Sequence, residues 1–344
     1  MHAVKLMNKF VGDGYPCYTI SEIGVGFRNF EEGKRLVDAS IEAGADAVKF
    51  QTYEADTVTT KNIFFDLETT GHISQYEFHK KYELPKDLQR RIMEYAKNIG
   101  ITVFSAPSHI KDLEIMEEMD NPIYKIGSDL ACHIPLLKKI AKFGKPIILS
   151  TGMCTLEEVI NSVNAIKDQG NEDIILLHCV ANYPSKPEEA NLNAIPTMKK
   201  EFDIPVGYSD HTIGLATTLS GVALGANVIE RHFRDINNAP GPDDAHSLVK
   251  EEFARMVNSI KDIELAKGNG EKKPSRYEQK NLLTNRVSII AMQEISAGTT
   301  ITKEMIDIRR PGSGIQPIHY DEIIGKKVSR DIQKEEPLRW EMIE

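Results

Sequence analysis

The strongest constraint on the fold is an eightfold alternation of short apolar runs and helix-length segments between residues 18 and 267. The apolar runs predict β-strands at 18–23, 45–50, 101–104, 123–126, 146–149, 174–177, 204–206 and 227–229. Helices are predicted after them, at 30–43, 85–98, 109–119, 134–142, 155–168, 192–202, 213–224 and 251–266. The runs are continuously apolar, as in parallel strands buried on both faces. At about 33 residues per unit, the pattern predicts a (β/α)₈ TIM barrel, with a doubly wound open sheet as the competing interpretation.

Local signals support these boundaries. Gly44, Gly100 and Gly144 follow predicted helices, at the position where a glycine commonly ends a helix. Thr155 and Glu158 have the spacing of a capping box at the start of the helix 155–168. Residues 54–82 are polar and aromatic without a period, so we expect a long irregular loop there, lying over an active site.

A second, smaller domain is expected after the barrel. Residues 268–285 are rich in Gly, Lys, Glu and Pro and have no period, which predicts a linker. Residues 286–344 combine short apolar runs with turn sequences, which indicates a compact domain of short strands. The expected organisation is a barrel domain over 1–267, a linker over 268–285 and a small C-terminal domain over 286–344.

Composition and charge argue against several classes of partner. The chain has 42 Lys and Arg against 51 Asp and Glu, a formal net charge of −9, whereas proteins that bind nucleic acid or anionic membranes usually carry a basic surplus. The cysteines include no CxxC pair, which predicts free thiols in a reducing compartment. No run approaches the ~20 apolar residues of a membrane span, and no signal-peptide core is visible. We therefore expect a cytoplasmic protein without nucleic-acid or membrane partners.

Polar side chains stand at or just after the end of every predicted strand. They are, in chain order, Glu22, Lys49, Gln51, Ser105, Lys125, Ser128, Ser150, Thr151, His178, Asn182, Ser209, Asp210, His211, Glu230 and His232. The carboxyl ends of barrel strands meet on one face, and barrel active sites lie there. This convergence predicts an enzyme with its active site on that face.

Two of these residues, His211 and His232, suggest a metal site. They follow adjacent predicted strands, whose ends lie side by side in a parallel sheet. Two imidazoles near Asp210 and Glu230 suit a divalent ion such as Mn²⁺ or Zn²⁺. The alternative is that the histidines are unrelated polar residues at the starts of two loops.

The other candidates suggest an anionic substrate. Lys49 and Lys125 supply two positive charges, and with the hydroxyls of Ser128, Ser150 and Ser209 they would hold a phosphate and a carboxylate. Alternatively, the lysines extend toward solvent and the serines cap helices. Further acid or base candidates are Glu22, Glu230 and Asp243. Asp243 follows Pro242 in a rigid turn, and the alternative is that it is an ordinary turn aspartate. His178 is expected to pack at the top of the barrel rather than to bind a ligand.

Several short motifs, taken together and in order, resemble those of the sialic acid synthases, which include the N-acetylneuraminate and legionaminate synthases. The motifs are Glu22-Ile23-Gly24, the stretch 43–52, Tyr124-Lys125-Ile126-Gly127-Ser128, Leu149-Ser150-Thr151-Gly152-Met153, Leu177-His178-Cys179, Tyr183-Pro184, Ser209-Asp210-His211-Thr212, Glu230-Arg231-His232-Phe233 and Gly241-Pro242-Asp243. Residues 286–344 resemble the antifreeze-like (SAF, β-clip) domain of that family. The resemblance covers nearly the whole chain.

The resemblance implies a reaction in which phosphoenolpyruvate condenses with the open-chain aldehyde of an N-acylated amino sugar, giving a nine-carbon 2-keto acid and phosphate. The implied phosphoenolpyruvate-binding residues are Lys49, Lys125, Ser128, Ser150, Ser209 and Asn182. The implied catalytic residues are Glu22, Glu230, His211 and His232, and the two histidines would hold Mn²⁺, with Mg²⁺ or Co²⁺ as alternatives, as a Lewis acid. The implied sugar contacts are Gln51, Tyr183, Asp243 and Arg310.

The resemblance also implies a domain-swapped homodimer. In the family, an arginine from the small domain of the partner subunit closes the active site, and Arg310, followed by Pro311 and Gly312, matches it. On this interpretation neither subunit alone makes a complete site.

The chain departs from the family pattern on the sugar side. Residues 25–29 (Val-Gly-Phe-Arg-Asn) replace an Asn-His-Asn-Gly type of sequence, so this loop lacks a histidine and contains Arg28. Asp129 and Leu130 stand where a sugar-contacting glutamate is common. Arg231 replaces the usual lysine before the second metal histidine, and Arg234 begins a different sequence after Phe233. Asn182 lies one place later than the common asparagine.

Two other hypotheses remain open from the sequence. One is a non-catalytic sugar-binding protein that retains the barrel and the small domain. The altered loop at 27–29 is the reason for considering this hypothesis. The other is a different aldolase-type barrel enzyme that forms a Schiff base through Lys49 or Lys125, which borohydride would trap.

Overall fold

The computed structural model describes residues 2–67 and 71–344. Along these residues the strands are β1 (Val4–Leu6), β2 (Lys9–Val11), β3 (Tyr18–Gly24), β4 (Ala47–Thr52), β5 (Phe64–Leu67), β6 (Gly71–Ser74), β7 (Thr102–Pro107), β8 (Tyr124–Ile126), β9 (Ile147–Ser150), β10 (Ile174–Cys179), β11 (Val206–Asp210), β12 (Val228–His232), β13 (Ser288–Ala291) and β14 (Ile306–Arg309). The helices are α1 (Phe30–Glu42), α2 (Ala55–Val58), α3 (Gln75–Tyr82), α4 (Lys86–Ile99), α5 (Asp112–Glu118), α6 (Ile134–Ala141), α7 (Leu156–Lys167), α8 (Ala194–Phe202), α9 (Ala216–Ala223), α10 (Lys250–Lys267), α11 (Gln279–Thr284) and α12 (Tyr320–Ile323). None of the helices described is both long and apolar enough to cross a membrane.

The central element is a closed barrel of parallel strands. In order around the cylinder it contains β3, β4, β7, β8, β9, β10, β11 and β12, and β12 pairs again with β3. Every neighbouring pair is parallel. The strand order therefore follows the chain, each strand being followed by a helix. The predicted TIM barrel is confirmed, and the doubly wound open sheet is excluded.

The interior of the barrel is apolar toward the N-terminal ends of the strands and polar toward their C-terminal ends. A buried cluster includes Ile20, Ala47, Ile123, Ile148 and Val228. Each of these residues lies two positions before a polar candidate residue, on the same strand or, for Ile123, directly before it. The period of two along a strand therefore places both side chains inside the barrel. Three residues of the β1–β2 hairpin, at positions 4, 6 and 11, join this cluster. The hairpin therefore packs against the N-terminal end, and the polar side chains occupy the C-terminal end.

A larger apolar cluster lies between the outer face of the strands and the helices, and includes Leu36, Val48, Ile92 and Met116. The helices bury one face each, because their apolar residues recur at helical spacing. The predicted capping box of α7 is present: Glu158 N donates to Thr155 Oγ1 at 3.3 Å, and Thr155 N donates to Glu158 Oε2 at 2.7 Å. This fixes the start of α7 at the end of the loop that follows β9.

Residues 54–82 differ from the sequence prediction, because they contain α2, the β5–β6 pair and α3 rather than an irregular loop. Aromatic pairs within the segment explain its order. The rings of Phe64 and His72 stack at 4.8 Å, and those of Phe65 and Phe78 meet edge-on at 5.3 Å. Such pairs stabilise local structure in a way that periodicity alone does not reveal. Residues 68–70 of this predicted loop lie outside the described residues.

The chain divides into two compact units, one ending at Gly268 and the other spanning Asn269–Glu344. The second unit has its own core, which includes Ile289, Ile301 and Val328, and an antiparallel pair β13–β14. The predicted linker 268–285 contains the helix α11. Gly312 N donates to Leu283 O at 2.8 Å, so α11 is joined to the second unit. The extent of the linker stays a prediction.

Candidate active site

Four charged side chains from four strands meet inside the C-terminal end of the barrel. Glu22 belongs to β3, Lys49 to β4, Lys125 to β8 and Glu230 to β12. Each is at most 4% exposed. Long charged side chains are rarely buried to this extent unless they are paired, which makes this cluster the leading candidate for a functional site.

The two glutamates join the two lysines into one ionic network. Lys49 Nζ lies 2.7 Å from Glu22 Oε2 and 3.7 Å from Glu230 Oε1. Lys125 Nζ lies 3.4 Å from the same oxygen of Glu230. Burying a charge is costly unless it is paired, so the carboxylates explain how two ammonium groups are held at this depth. The second oxygen of Glu230, Oε2, is buried without a hydrogen-bond partner in the described part of the chain.

Burial and pairing set the protonation of these groups. Burial raises the pKa of Glu22 and lowers the pKa of Lys125. Burial alone would lower the pKa of Lys49 as well. The charges of Glu22 and Glu230 outweigh this effect, so the pKa of Lys49 is raised. Burial would raise the pKa of Glu230, but Lys125 and Lys49 outweigh it and the pKa is lowered. Glu230 is therefore the carboxylate that stays ionised, and Glu22 the one that more readily takes up a proton.

Hydroxyl groups extend this network. Lys125 Nζ donates to Ser150 Oγ at 2.7 Å, and Ser209 Oγ donates to Glu230 Oε1 at 3.0 Å. Ser128 Oγ accepts a hydrogen bond from Gly152 N at 3.0 Å. A Cβ atom at Gly152 would lie only 2.8 Å from that hydroxyl, so only glycine allows the loop after β9 to approach Ser128 so closely. The structure thus brings Ser150 and Ser209 into the lysine network, with Ser128 bonded to the loop that follows Ser150.

Three histidines gather beside this network. The rings of His211 and His232 lie 5.4 Å apart between centroids, on the same end of the barrel. Sequence reasoning predicted this pair, although β11 and β12 extend further than predicted and include Asp210 and His232. A third ring, His246, lies 4.6 Å from His232 and 5.7 Å from His211. His246 was missed because it lies in the loop after β12, far from any strand end. Its nearness in sequence to Asp243 was the available signal.

Burial keeps the three imidazoles neutral. It lowers the pKa of His211 to about 4 and that of His246 to about 3, and it lowers the pKa of His232 well below the ordinary value. Neutral imidazole is the form that binds metal ions, so no proton has to leave near pH 7. Burial, together with the charge of Glu22, raises the pKa of Asp243 to about 7.

These side chains fit a divalent ion. His232 Nδ1 lies 3.5 Å from Asp243 Oδ2, and one donor atom from each of His232, Asp243 and His246 lies within 4.8 Å of the others. His211 uses Nδ1 to contact Val180 O at 3.1 Å, which leaves its Nε2 available to a ligand. A set of imidazole nitrogens with a carboxylate oxygen suits first-row divalent ions.

Arg231 supports the loops that carry the histidines. It is 1% exposed, and its NH1 lies 2.8 Å from Asp210 Oδ2. Its NH2 donates to Thr212 O at 2.8 Å and to His246 O at 3.3 Å. Arg231, which departs from the family's usual lysine, therefore uses its two-armed guanidinium to join the loops after β11 and β12.

The predicted sugar contacts of the barrel surround a cavity of about 240 Å³. Its lining residues are Val25, Gln51, Tyr53, Phe65, Phe78, His79, Tyr183, His232, Pro242, Asp243 and His246. Gln51 Nε2 donates to Glu22 Oε1 at 2.9 Å, and the ring of Tyr183 lies 4.3 Å from that of His211. The cavity thus opens beside both the ionic network and the histidines, with a largely aromatic wall.

Other predicted residues lie elsewhere. Asn182 is exposed, and its side chain donates to Glu189 Oε2 at 3.2 Å. Arg310 is an exposed residue of the second unit. Their assigned contacts with substrate stay predictions. His178 contacts Ala190 O at 2.7 Å and stacks on Tyr208, which agrees with the expectation that it packs at the top of the barrel.

Comparison with known proteins identifies the family. Residues 36–272 match the NeuB family, and residues 286–344 match the SAF domain. The chain is 40% identical to an uncharacterized protein of Methanocaldococcus jannaschii, over 99% of this chain and 98% of that protein. It is 36% identical to an N,N'-diacetyllegionaminic acid synthase of Legionella pneumophila, over 97% of this chain and 96% of the relative.

A solved structure agrees with this assignment. The N-acetylneuraminic acid synthetase of Leptospira borgpetersenii, in complex with citrate, is 30% identical, with a TM-score of 0.71 over 82% of this chain and 95% of that chain. The resemblance to sialic acid synthases and the prediction of an enzyme of that type, a transferase that forms carbon–carbon bonds, are confirmed. The chain belongs to the NeuB family and carries a C-terminal SAF domain.

Proposed function

We propose that this protein condenses phosphoenolpyruvate with the open-chain aldehyde of an N-acylated amino sugar, releasing phosphate and a nonulosonic acid. The observation that carries the proposal is the buried network of Glu22, Lys49, Lys125 and Glu230 beside a histidine cluster. Such an arrangement suits a small polyanion on one side and a polarised carbonyl on the other. Family membership and the legionaminic acid synthase relative support the same reaction class.

The lysines and serines would bind phosphoenolpyruvate. Lys125 already shares its ammonium group between Ser150 and Glu230, and the ammonium of Lys49 lies between two carboxylates. The phosphate and carboxylate groups of phosphoenolpyruvate would accept charge-assisted hydrogen bonds from these ammonium groups, in place of some of the present contacts. The added negative charge favours a proton on Glu22, whose pKa burial already raises.

The glutamates would then serve the bond-forming step. Carbon 3 of phosphoenolpyruvate attacks the aldehyde carbon, the aldehyde oxygen takes up a proton, and positive charge develops at carbon 2. Glu230, the carboxylate that stays ionised, would stabilise this charge. Water then adds to carbon 2 and gives a proton to a nearby carboxylate, and phosphate leaves as the 2-keto group forms.

A divalent ion completes the proposed chemistry. His211 and His232 would hold it, and for this two-histidine site Mn²⁺ is proposed, with Mg²⁺ or Co²⁺ as alternatives. When bound, such an ion acts as a Lewis acid toward the aldehyde oxygen. The neutral state of the two imidazoles supports this assignment, because burial keeps their pKa values below 6.5.

The acceptor sugar would lie in the cavity of about 240 Å³. Tyr53, Phe65, Phe78 and Tyr183 offer apolar surface to acyl methyl groups, and Asp243 offers hydrogen bonds to hydroxyls or amides. Arg28, the residue gained in the altered loop, donates to Val25 O at 2.7 Å and lies 4.6 Å from the Tyr82 ring centre. These contacts hold Arg28 between its own loop and the end of α3. We infer N-acetylmannosamine or a 2,4-diacetamido hexose as the acceptor.

The assembly is proposed to be a domain-swapped homodimer in which Arg310 of one subunit contacts the sugar in the other. Its motif in the SAF domain supports this role. The cytoplasmic location stays a prediction that rests on the free thiols.

The test is phosphate release from phosphoenolpyruvate with a panel of acylated hexosamines, in the presence of Mn²⁺. We expect turnover with N-acetylmannosamine or a 2,4-diacetamido hexose, and a nonulosonic acid by mass spectrometry. No turnover with any acylated aldose would overturn the proposal. Borohydride in the same assay tests the Schiff-base alternative, which requires a covalent adduct at Lys49 or Lys125.

A further inference from the structure

We propose that His246 is a third imidazole ligand of the divalent ion in this chain, so that the site prefers a nitrogen-seeking ion such as Zn²⁺ or Co²⁺ to Mg²⁺. This inference rests on the proposed metal site and goes beyond the histidine pair that the strand ends predicted. The carrying observation is the position of His246, whose ring lies 4.6 Å from His232.

The geometry places His246 within the donor cluster rather than behind it. One donor atom of His246, one of His232 and one of Asp243 lie within 4.8 Å of one another. The ring of His246 also lies 5.7 Å from that of His211. His232, Asp243 and His246 thus form one donor group on the wall of the cavity, and the ring of His211 lies beside this group.

His246 has a nitrogen that lacks a partner. Its Nε2 is buried and makes no hydrogen bond within residues 2–67 and 71–344, and the residue is only 4% exposed. A buried polar atom without a partner is costly, so such an atom in a native protein calls for an explanation, and a bound ion is one. A bound cation would accept the lone pair of that nitrogen in the neutral imidazole.

The loop of His246 is held in place by several bonds. His246 N donates to Asp243 O at 3.2 Å, and Leu248 N donates to His232 O at 2.8 Å. Arg231 NH2 donates to His246 O at 3.3 Å. These bonds join the loop to the end of β12, which itself carries His232. The backbone of His246 is therefore held close to the strand end that carries His232.

Adding an imidazole changes which ions fit. Imidazole suits Zn²⁺, Co²⁺ and Fe²⁺, whereas Mg²⁺ and Mn²⁺ favour carboxylate and water oxygens. Two histidines with water serve either group. Three histidines with Asp243 move the preference toward the first group and tighten binding.

The test measures metal binding apart from catalysis. Calorimetry with Zn²⁺, Co²⁺ and Mn²⁺ compares the wild-type protein with His246→Ala and with His246→Gln, which nearly preserves side-chain volume. We expect both variants to lose at least about 10–100-fold in Zn²⁺ and Co²⁺ affinity, the loss seen when even an indirect partner of a metal ligand is removed. His79→Ala is the matched control, because His79 is half-buried and lines the same cavity. It should retain wild-type affinity.

A second measurement needs no variant. Pulsed electron paramagnetic resonance of the Mn²⁺-loaded wild-type protein, labelled with [15N]histidine, counts the coordinated histidine nitrogens. We expect three, and a count of two would overturn the proposal. Unchanged Zn²⁺ and Co²⁺ affinity in both His246 variants would overturn it as well. Phosphate release by the wild-type protein, measured separately, shows whether the proposed function stands when this inference fails.

Discussion

The ammonium nitrogen of Lys49 lies 2.7 Å from Glu22 Oε2, and both side chains are almost completely buried. The pair joins two adjacent strands, because Glu22 and Lys49 are register partners in the β3–β4 ladder. Removing one member would leave the other as a buried group without its partner. The same pair thus serves both the stability of the barrel and the proposed binding of phosphoenolpyruvate.

The double variant of this pair separates the two roles. Lys49→Met should lower the free energy of unfolding by about 3–5 kcal/mol, because Glu22 loses its buried partner. Combining it with Glu22→Gln should recover much of that stability but none of the phosphoenolpyruvate affinity. Urea unfolding and calorimetry measure the two quantities. Lys34→Met, which breaks the half-exposed pair with Asp38 at the protein surface, is the control and should cost less than about 1 kcal/mol. Equal costs for both lysines would contradict the assignment.

The second prediction concerns the effect on protein stability of Arg231, which joins the loops that carry His211 and His246. Arg231→Met should destabilise the protein by about 3–5 kcal/mol, because Asp210 is left as an unpaired buried charge. Arg231→Lys should cost less, but it cannot hold Thr212 O and Asp210 at once. Thermal unfolding ranks the variants. If Arg231→Lys proves as stable as the wild type, the two-armed contact contributes nothing.

The ion pair between Arg231 and Asp210 also predicts how the stability of the protein changes at low pH. Burial would raise the pKa of Asp210, but Arg231 and the hydroxyl donors outweigh it and the pKa is lowered. A lowered folded-state pKa means that the stabilisation is complete above the unfolded value of about 3.9 and is lost as the pH falls through the lower folded value. Unfolding measured from pH 6 to pH 2 should show this loss. In Asp210→Asn the part of the pH dependence below about pH 4 should shrink.

Metal removal tests the histidine pair. Dialysis against a chelator should abolish phosphate release, and added Mn²⁺ should restore it. His211→Ala should lose the restored activity together with metal binding, while its circular dichroism stays that of the wild type. His178→Gln is a comparison outside the cluster, because His178 contacts Ala190 O and packs on Tyr208. Metal-independent turnover by the dialysed wild type would contradict the proposed role of the ion.

Arg310 tests the swapped dimer through subunit complementation. Arg310→Ala and His232→Ala should each be nearly inactive alone. Mixed and re-associated, they should recover part of the activity, because one site of the mixed dimer then combines an intact barrel with an intact arginine from the other subunit. In an unswapped arrangement no site of the mixture is complete, so the absence of recovery would argue against the exchange. Size-exclusion chromatography with light scattering confirms that mixed dimers form.

The alternation of apolar runs with helical segments determined the barrel, because strand and helix periods are local properties of sequence. It also determined which end of the strands carries Glu22, Lys49, Lys125 and Glu230, since residues at strand ends must meet at one face of a closed parallel sheet. The pairing of His211 with His232 followed in the same way. These conclusions required no distance between residues remote in the chain.

The tertiary structure decided the rest. Which carboxylate pairs with which lysine depends on side-chain reach across the barrel, and the opposite pKa shifts of Glu22 and Glu230 follow from that pairing. His246 joins the histidines only because its loop folds back onto β12. The order of residues 54–67 and 71–82 comes from aromatic contacts such as Phe65 with Phe78. Each of these features depends on contacts through space, which local pattern does not encode.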